Sequence, residues 1–209
     1  MTAARIVRRS LAVAAVLSLC APAVRTMAAG QDESVQKLME RGALNEAVQR
    51  AGRERGNPES TYLAAQALIK LNNDGGAGEQ YSQLREMGDA DWKAIGDSGA
   101  ALLSGNVDEA SEAANRAVAA NGDNPFTHYQ AGLVASRKND FERAAAEFGR
   151  SVEIKPDFAY GHYYAGLANQ KLRQTSKMSQ HLEAFLRLAP DAPERSAVNA
   201  VLRTLRPRR

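Results

Sequence analysis

Internal repetition constrains this chain more than any other feature. Residues 125–158 read PFTHYQAGLVASRKNDFERAAAEFGRSVEIKPDF. Moved by 34 positions, Ala131-Gly132 falls on Ala165-Gly166, Phe126 on Tyr160, Tyr129 on Tyr163, Leu133 on Leu167, His128 on His162, Phe148 on Leu182 and Pro156 on Pro190. The same step backwards puts Ala144 on Ala110, Ser151 on Ala117 and Asn139 on Gly105, and one more reaches residues 57–90, with Leu63-Ala64 at the Ala131-Gly132 position. A period of this length means stacked units, each too small to bury its own apolar face without a neighbour.

Each unit reads as two short amphipathic helices. From Phe126 the bulky residues fall at Tyr129 and Leu133, steps of three and four on one helical face. Asn139-Asp140 interrupts the pattern, and Asp140 suits the N-cap of a second helix. That helix carries Phe141, Ala144, Ala145, Phe148, Val152 and Ile154, and Pro156 stops it. Ala131-Gly132 and Ala144 are small, which lets two helix axes come close.

The period and these offsets resemble the tetratricopeptide repeat, a helix–turn–helix unit with small residues at fixed places and a closing proline. Where the family tends to have Trp, Leu, Gly, Tyr, Ala, Phe and Pro, this unit has His128, Ala131, Gly132, Ala135, Ala144, Phe148 and Pro156. Gly, Ala, Phe and Pro hold, whereas the Trp, Leu and Tyr positions depart. The resemblance covers residues 31–192 and implies an all-α, right-handed solenoid of antiparallel helix pairs that binds other proteins or peptides.

The other units follow the same plan with local differences. Residues 31–56 make a shorter first hairpin, with Val35, Leu38 and Met39 as one stripe, a turn at Gly42–Asn45, and Ala47, Val48 and Ala51 as the second stripe. Asn57-Pro58 opens residues 57–90 as N-cap and first helical position. NNDGGAG at 72–78 lacks the Lys-Ser/Thr of a phosphate loop and the acidic first ligand and final Glu of a calcium loop, so it reads as a flexible turn before a short helix near 79–87. Residues 91–124 are rich in alanine, with bulk from Trp92, Ile95, Leu102 and Leu103, and Gly122 closing the second helix. In 159–192 Arg173 takes a turn position that favours Gly or Asn, and Met178 takes that of a small Ala. Residues 193–209 hold a final helix, 193–205, with Ala197, Val198, Val201, Leu202 and Leu205 on one side, that caps the last apolar face, and a basic tail.

The first thirty residues differ in kind. Arg5, Arg8 and Arg9 precede the apolar run of residues 11–19, and small residues follow at Ala21, Ala23, Ala28 and Ala29. That is the layout of a secretory signal peptide, cleaved after Ala23 or Ala29, and the apolar stretch is short for a bilayer span of about 20 residues. Leu17-Ser18-Leu19-Cys20 resembles a bacterial lipoprotein box, although Leu19 is large for it, and Arg8-Arg9-Ser10-Leu11 resembles the core of a twin-arginine signal. The segment holds four arginines and no acid. Taking those four from the 27 basic residues leaves 23 against 24 acidic ones, a net of −1. The basic overall balance therefore belongs to this segment and does not point to nucleic acid. A mature chain beginning after Cys20 has no thiol, hence no disulfide, zinc-thiolate site or cysteine nucleophile.

Sites of chemistry do not stand out, and no metal ligand set, cofactor motif or catalytic residue is assigned. HExxH, GxSxG, GxGxxG and Cys/His pairs are absent from the sequence. Of the three histidines, His128 and His162 sit 34 apart, an echo expected of duplication, and His181 falls on a polar face. The resemblance instead implies a concave partner-binding groove lined by first-helix positions: Trp92 and Ile95; Phe126, Tyr129, Leu133 and Arg137; Tyr160, Tyr163, Leu167, Gln170 and Lys171. Aromatic residues of this kind serve binding surfaces well; equally, Phe126 and Tyr160 could pack between repeats. The subgroup that clamps a C-terminal carboxylate uses Lys and Asn where Tyr129 and Leu133 stand, which favours an apolar-aromatic peptide instead. Together these features describe an exported, periplasmic or secreted scaffold or adaptor, not an enzyme, with no membrane span once mature. The alternatives are a membrane-anchored assembly factor, held by Cys20 or an uncleaved signal, and an envelope enzyme with a carboxylate site in the groove.

Overall fold

A computed structural model describes residues 33–205. The signal segment, Cys20 and the tail arginines Arg206, Arg208 and Arg209 lie outside the described residues. Among those described there are eleven helices and no strand: α1 (Val35–Glu40), α2 (Leu44–Arg53), α3 (Pro58–Lys70), α4 (Asp74–Glu86), α5 (Ala90–Leu103), α6 (Val107–Ala120), α7 (Pro125–Arg137), α8 (Phe141–Ile154), α9 (Ala159–Lys171), α10 (Thr175–Leu188) and α11 (Arg195–Thr204). Consecutive helices pack antiparallel, giving a solenoid of five hairpins with α11 against α10 as a cap.

Local chemistry sets the boundaries. Asn57, Asn124 and Asp140 cap α3, α7 and α8 by accepting from the backbone N–H groups of Ser60, Phe126 and Arg143. Pro58 and Pro125 occupy first-turn positions, where the missing N–H costs nothing. Every hairpin turn repeats one bond, from Ala43, Asn73, Asn106, Asp140 and Gln174 N–H back to the carbonyls of Leu38, Leu68, Ala101, Ala135 and Asn169. This six-to-one bond is the Schellman closure. It forces a left-handed residue, and Gly105, Asn139 and Arg173, 34 apart, all have positive φ. Arg173 thus adopts the turn conformation despite its side chain.

Two expectations are corrected. Residues 74–78 are not a loop: Asn73 accepts from Gly76 N–H, so α4 begins at Asp74 and includes three glycines. Gly122 is not a left-handed closure, since it is absent from the positive-φ residues; Asn121 ends α6 in an extended conformation.

The glycines at the helix crossings explain how close the helices come. A Cβ on Gly132 would lie 2.7 Å from the Phe148 ring, and one on Gly166 would lie 2.6 Å from Leu182, its counterpart one repeat later. A Cβ on Gly99 of α5 would lie 2.3 Å from the Tyr81 ring of α4. With Gly96, Ser98 and Gly99 on α5, and Ala113, Ala114 and Ala117 buried on α6, the middle repeat is thin.

That thinness bends the array shut. Tyr62 of α3 reaches past α5 to α7, its ring 5.6 Å from Phe126 and 6.2 Å from Tyr129. Its hydroxyl donates to Gln130 Oε1 at 2.8 Å; Gln130 Nε2 donates to Ser98 Oγ, which donates to the Ala110 carbonyl. Phe158 adds to the same cluster, 5.3 Å from Phe126 and 4.9 Å from Tyr129. The first units then meet the last. Gln36 donates to the Asp157 carbonyl at 2.9 Å, Glu40 accepts from Ala159 N–H at the uncapped start of α9, and ion pairs join Lys70 to Glu194 at 2.6 Å and Lys155 to Glu59 at 3.4 Å. The inner face of the solenoid is therefore its core.

Candidate functional site

Closure decides the fate of the expected groove. Ile95, Phe126, Tyr129 and Tyr160 are buried, Tyr129 at 3% exposure and Phe126 and Tyr160 at 2% each. Trp92, Leu133, Tyr163 and Leu167 are half-buried, Trp92 with its ring 5.6 Å from Phe126. Arg137, Gln170 and Lys171 remain exposed, Lys171 with its ammonium 5.8 Å from the Phe141 ring. These side chains do not line an open trough: the aromatic ones are packed on one another, and a solvent-facing ring at Tyr129 is corrected to a core ring. Burial pushes the phenols of Tyr62 and Tyr129 well up, and that of Tyr164 up to about 12, so all three stay neutral at ordinary pH. Spacing placed the aromatics on one face, but side-chain pattern alone did not report the curvature that presses that face together.

The seam between the two ends has its own chemistry. Tyr160 donates to Glu194 Oε2 at 3.2 Å, and the Lys70 ammonium lies 4.3 Å from the Tyr160 ring centroid. Burial, and then the Glu194 carboxylate, raises the Tyr160 phenol. Nothing in the sequence pattern joined Lys70, Tyr160 and Glu194, because they come from three different units.

The histidines are placed by partners that spacing hinted at. Both ring nitrogens of His128 face acceptors: Glu147 Oε2 at 2.8 Å and the Gly122 carbonyl at 3.0 Å. One repeat later, His162 faces the Pro156 carbonyl at 3.2 Å, while its Nδ1 lies 3.2 Å from His181 Nδ1. A carbonyl only accepts, so His162 Nε2 carries its proton and Nδ1 is left to accept from His181. His181 stands where Glu147 stands in the preceding unit. Burial lowers both His162 and His181 below the usual histidine value; Arg187 lowers His162 further, and His162 and Lys177 lower His181.

This pair lies in an outer cleft of about 650 Å³ between α8 and α10, floored by α9. Ala145, Ala146 and Gly149 form its α8 wall, Lys177 and Gln180 face them from α10, and Asn169 lies on the floor. Among the described residues no three His, Cys, Asp or Glu side chains gather as metal ligands would, and no helix is long and apolar enough to cross a membrane.

The arrangement matches a known architecture. Residues 127–158 match the model of the tetratricopeptide repeat. The fold is that of tetratricopeptide-repeat proteins. The crystal structure of TTC0263, described as a thermophilic TPR protein in Thermus thermophilus, superposes with a TM-score of 0.57 at 17% identity, over 87% of this chain and 95% of that one. The Cut9–Hcn1 hetero-tetramer of APC/C also gives 0.57 at 17% identity, over 79% of this chain and 34% of that chain. Comparison with curated proteins gave no match.

Proposed function

We propose that this chain is an exported scaffold or adaptor that holds other proteins together and carries out no catalysis of its own. The observation that carries the reading is the stack of helical hairpins, in which one repeat matches a module whose solved relatives include a hetero-tetrameric assembly. A stack of this kind offers long side faces, and its repeats can change surface residues without disturbing the crossings. Export rests on the arginine, apolar and small-residue order of residues 1–29.

With the inner aromatic face sealed, partner contacts fall on the outer surface. Of the residues expected to line the groove, Arg137, Gln170 and Lys171 remain exposed. Two measurements test the reading. Mass spectrometry of the mature amino terminus should find a start after Ala23 or Ala29; a lipidated Cys20 would replace it with the anchored alternative. Crosslinking in the envelope fraction should recover a reproducible set of partners, and a chain that stays in the cytoplasm and crosslinks to nothing would sink the scaffold.

A further inference from the structure

We infer that the outer cleft between α8 and α10 binds an extended peptide segment carrying a lysine or arginine. The inference rests on the scaffold reading and names the surface and the partner chemistry within it.

One repeat earlier the corresponding groove is strapped shut. Lys138 Nζ reaches Asp108 Oδ1 at 2.9 Å and Arg143 donates to Asn115, leaving about 100 Å³. Thirty-four residues on, Asp108 becomes Glu142, Asn115 becomes Gly149, Lys138 becomes Leu172 and Arg143 becomes Lys177. Leu172 has no charge for Glu142, and Gly149 offers Lys177 nothing, so neither strap forms. Among the described residues, Glu142 and Lys177 make no ion pair.

A second observation points to a ligand. Asn169 replaces the apolar Ala135 of the earlier groove, is 2% exposed, and has an Oδ1 with no hydrogen-bond partner in the described residues; its Nδ2 donates to the Ala165 carbonyl. Native proteins rarely leave a buried acceptor unmet. A hollow of about 590 Å³ beside Asp74 and Ser104 is nearly as wide but holds no such group.

The unmet groups specify what would fit. Asn169 Oδ1 needs a donor, Glu142 a cation and Lys177 an acceptor. An extended main chain supplies free N–H and C=O groups together, whereas a helix has already used its own. Glu142 to Glu153 spans about 16 Å of α8 at about 1.5 Å per residue, the length of about five extended residues. A Lys or Arg at the Glu142 end takes the place of the missing Lys138 counterpart.

The test uses the full chain, ¹⁵N-labelled, with Ac-Ala-Ala-Arg-Ala-Ala-NH₂, its Glu-centred analogue and free arginine. The arginine peptide should saturably shift the Asn169 side-chain amide and the Gly149 and Lys177 backbone amides, with a dissociation constant on the order of 1 mM. Glu142→Gln should weaken it by about fivefold or more, and the Glu peptide and free arginine should not reproduce the shifts. Gly149→Asn with Leu172→Lys copies the straps of the earlier groove into space that is open, since a Cβ at Gly149 meets nothing within 4 Å. That variant should melt like the parent and lose the peptide. No shift at Asn169, equal binding by Glu142→Gln, equal binding by the strapped variant, or the same shifts from free arginine would each overturn the inference. Crosslinking separates the two levels: if parent and strapped variant capture the same partners, the scaffold stands and the cleft assignment falls.

Discussion

On the inner side of the array Tyr62, Phe126, Tyr129 and Phe158 meet ring against ring, while on the outer side the α8–α10 cleft stays open over Asn169. Both faces come from the same repeated unit. The inner one closes because α5 and α6 between the aromatic repeats carry glycine, serine and alanine, so α3 and α7 meet across them. The outer one opens because Gly149 and Leu172 break the straps that Asn115 and Lys138 make one unit earlier. Whether a repeat face is a groove or a core thus depends on the bulk of its neighbours, more than on which residues stand at the face itself.

The most forceful way to break this comparison is to treat the inner face as free surface. Phe148→Ala and Tyr129→Ala should each cost about 3–5 kcal/mol in denaturant unfolding, as buried aromatics do, because Phe148 is fully buried and Tyr129 nearly so. Tyr163→Ala, half-buried, should cost visibly less. A Tyr129→Ala protein as stable as the parent would mean that the array opens in solution and that its groove is real.

Removing residues 193–209 comes next. Val198 buries against α10, and a fully buried side chain of that size is worth about 1.5–3 kcal/mol. The deletion also takes Glu194 from Lys70 and Tyr160, and Pro193 from its packing on Gly42. Lower melting temperature and aggregation are expected, and unchanged solubility and melting would refute the cap.

A smaller effect should come from the seam alone. In a double-mutant cycle Lys70→Ala and Glu194→Ala should couple by about 0.5–1 kcal/mol, since both partners keep some water contact, and the coupling should weaken with salt. Coupling of several kcal/mol would mean that the polar seam, and not the aromatic cluster, holds the ring closed.

Much of the fold was legible because it is written locally and repeatedly. Asn57, Pro58 and Asp140 each declare a helix start, and the 34-residue echo places the hairpins in order. Where one residue pattern carries two meanings, the sequence misled: the glycines at 75, 76 and 78 look like a loop, yet Asn73 caps them into α4. The aromatic positions were found, but their burial follows from curvature accumulated over three repeats, which no single window contains. The cleft was missed for another reason. Its signal is the absence of straps at Gly149 and Leu172, and this shows only when a unit is read against the one before it.

The gentlest test compares the two histidine positions. His128 faces Glu147, but His162 faces His181, with Arg187 and Lys177 as further positive neighbours. Burial lowers both His162 and His181 below the ordinary value, so near that value the unfolded chain binds more protons than the folded one. Stability from this pair is then fully present above the unfolded value of about 6.5, and it falls as pH drops from there towards the lowered folded values. The melting temperature of the parent should therefore decline between about pH 7.5 and pH 5.5 by more than that of His181→Glu, which copies the earlier unit's carboxylate into the later one. In that variant the new carboxylate favours the charged imidazole of His162 and opposes the lowering by burial, so less stability is lost as pH falls. Parallel melting curves for the two proteins across this range would show that the His162–His181 contact carries no linkage.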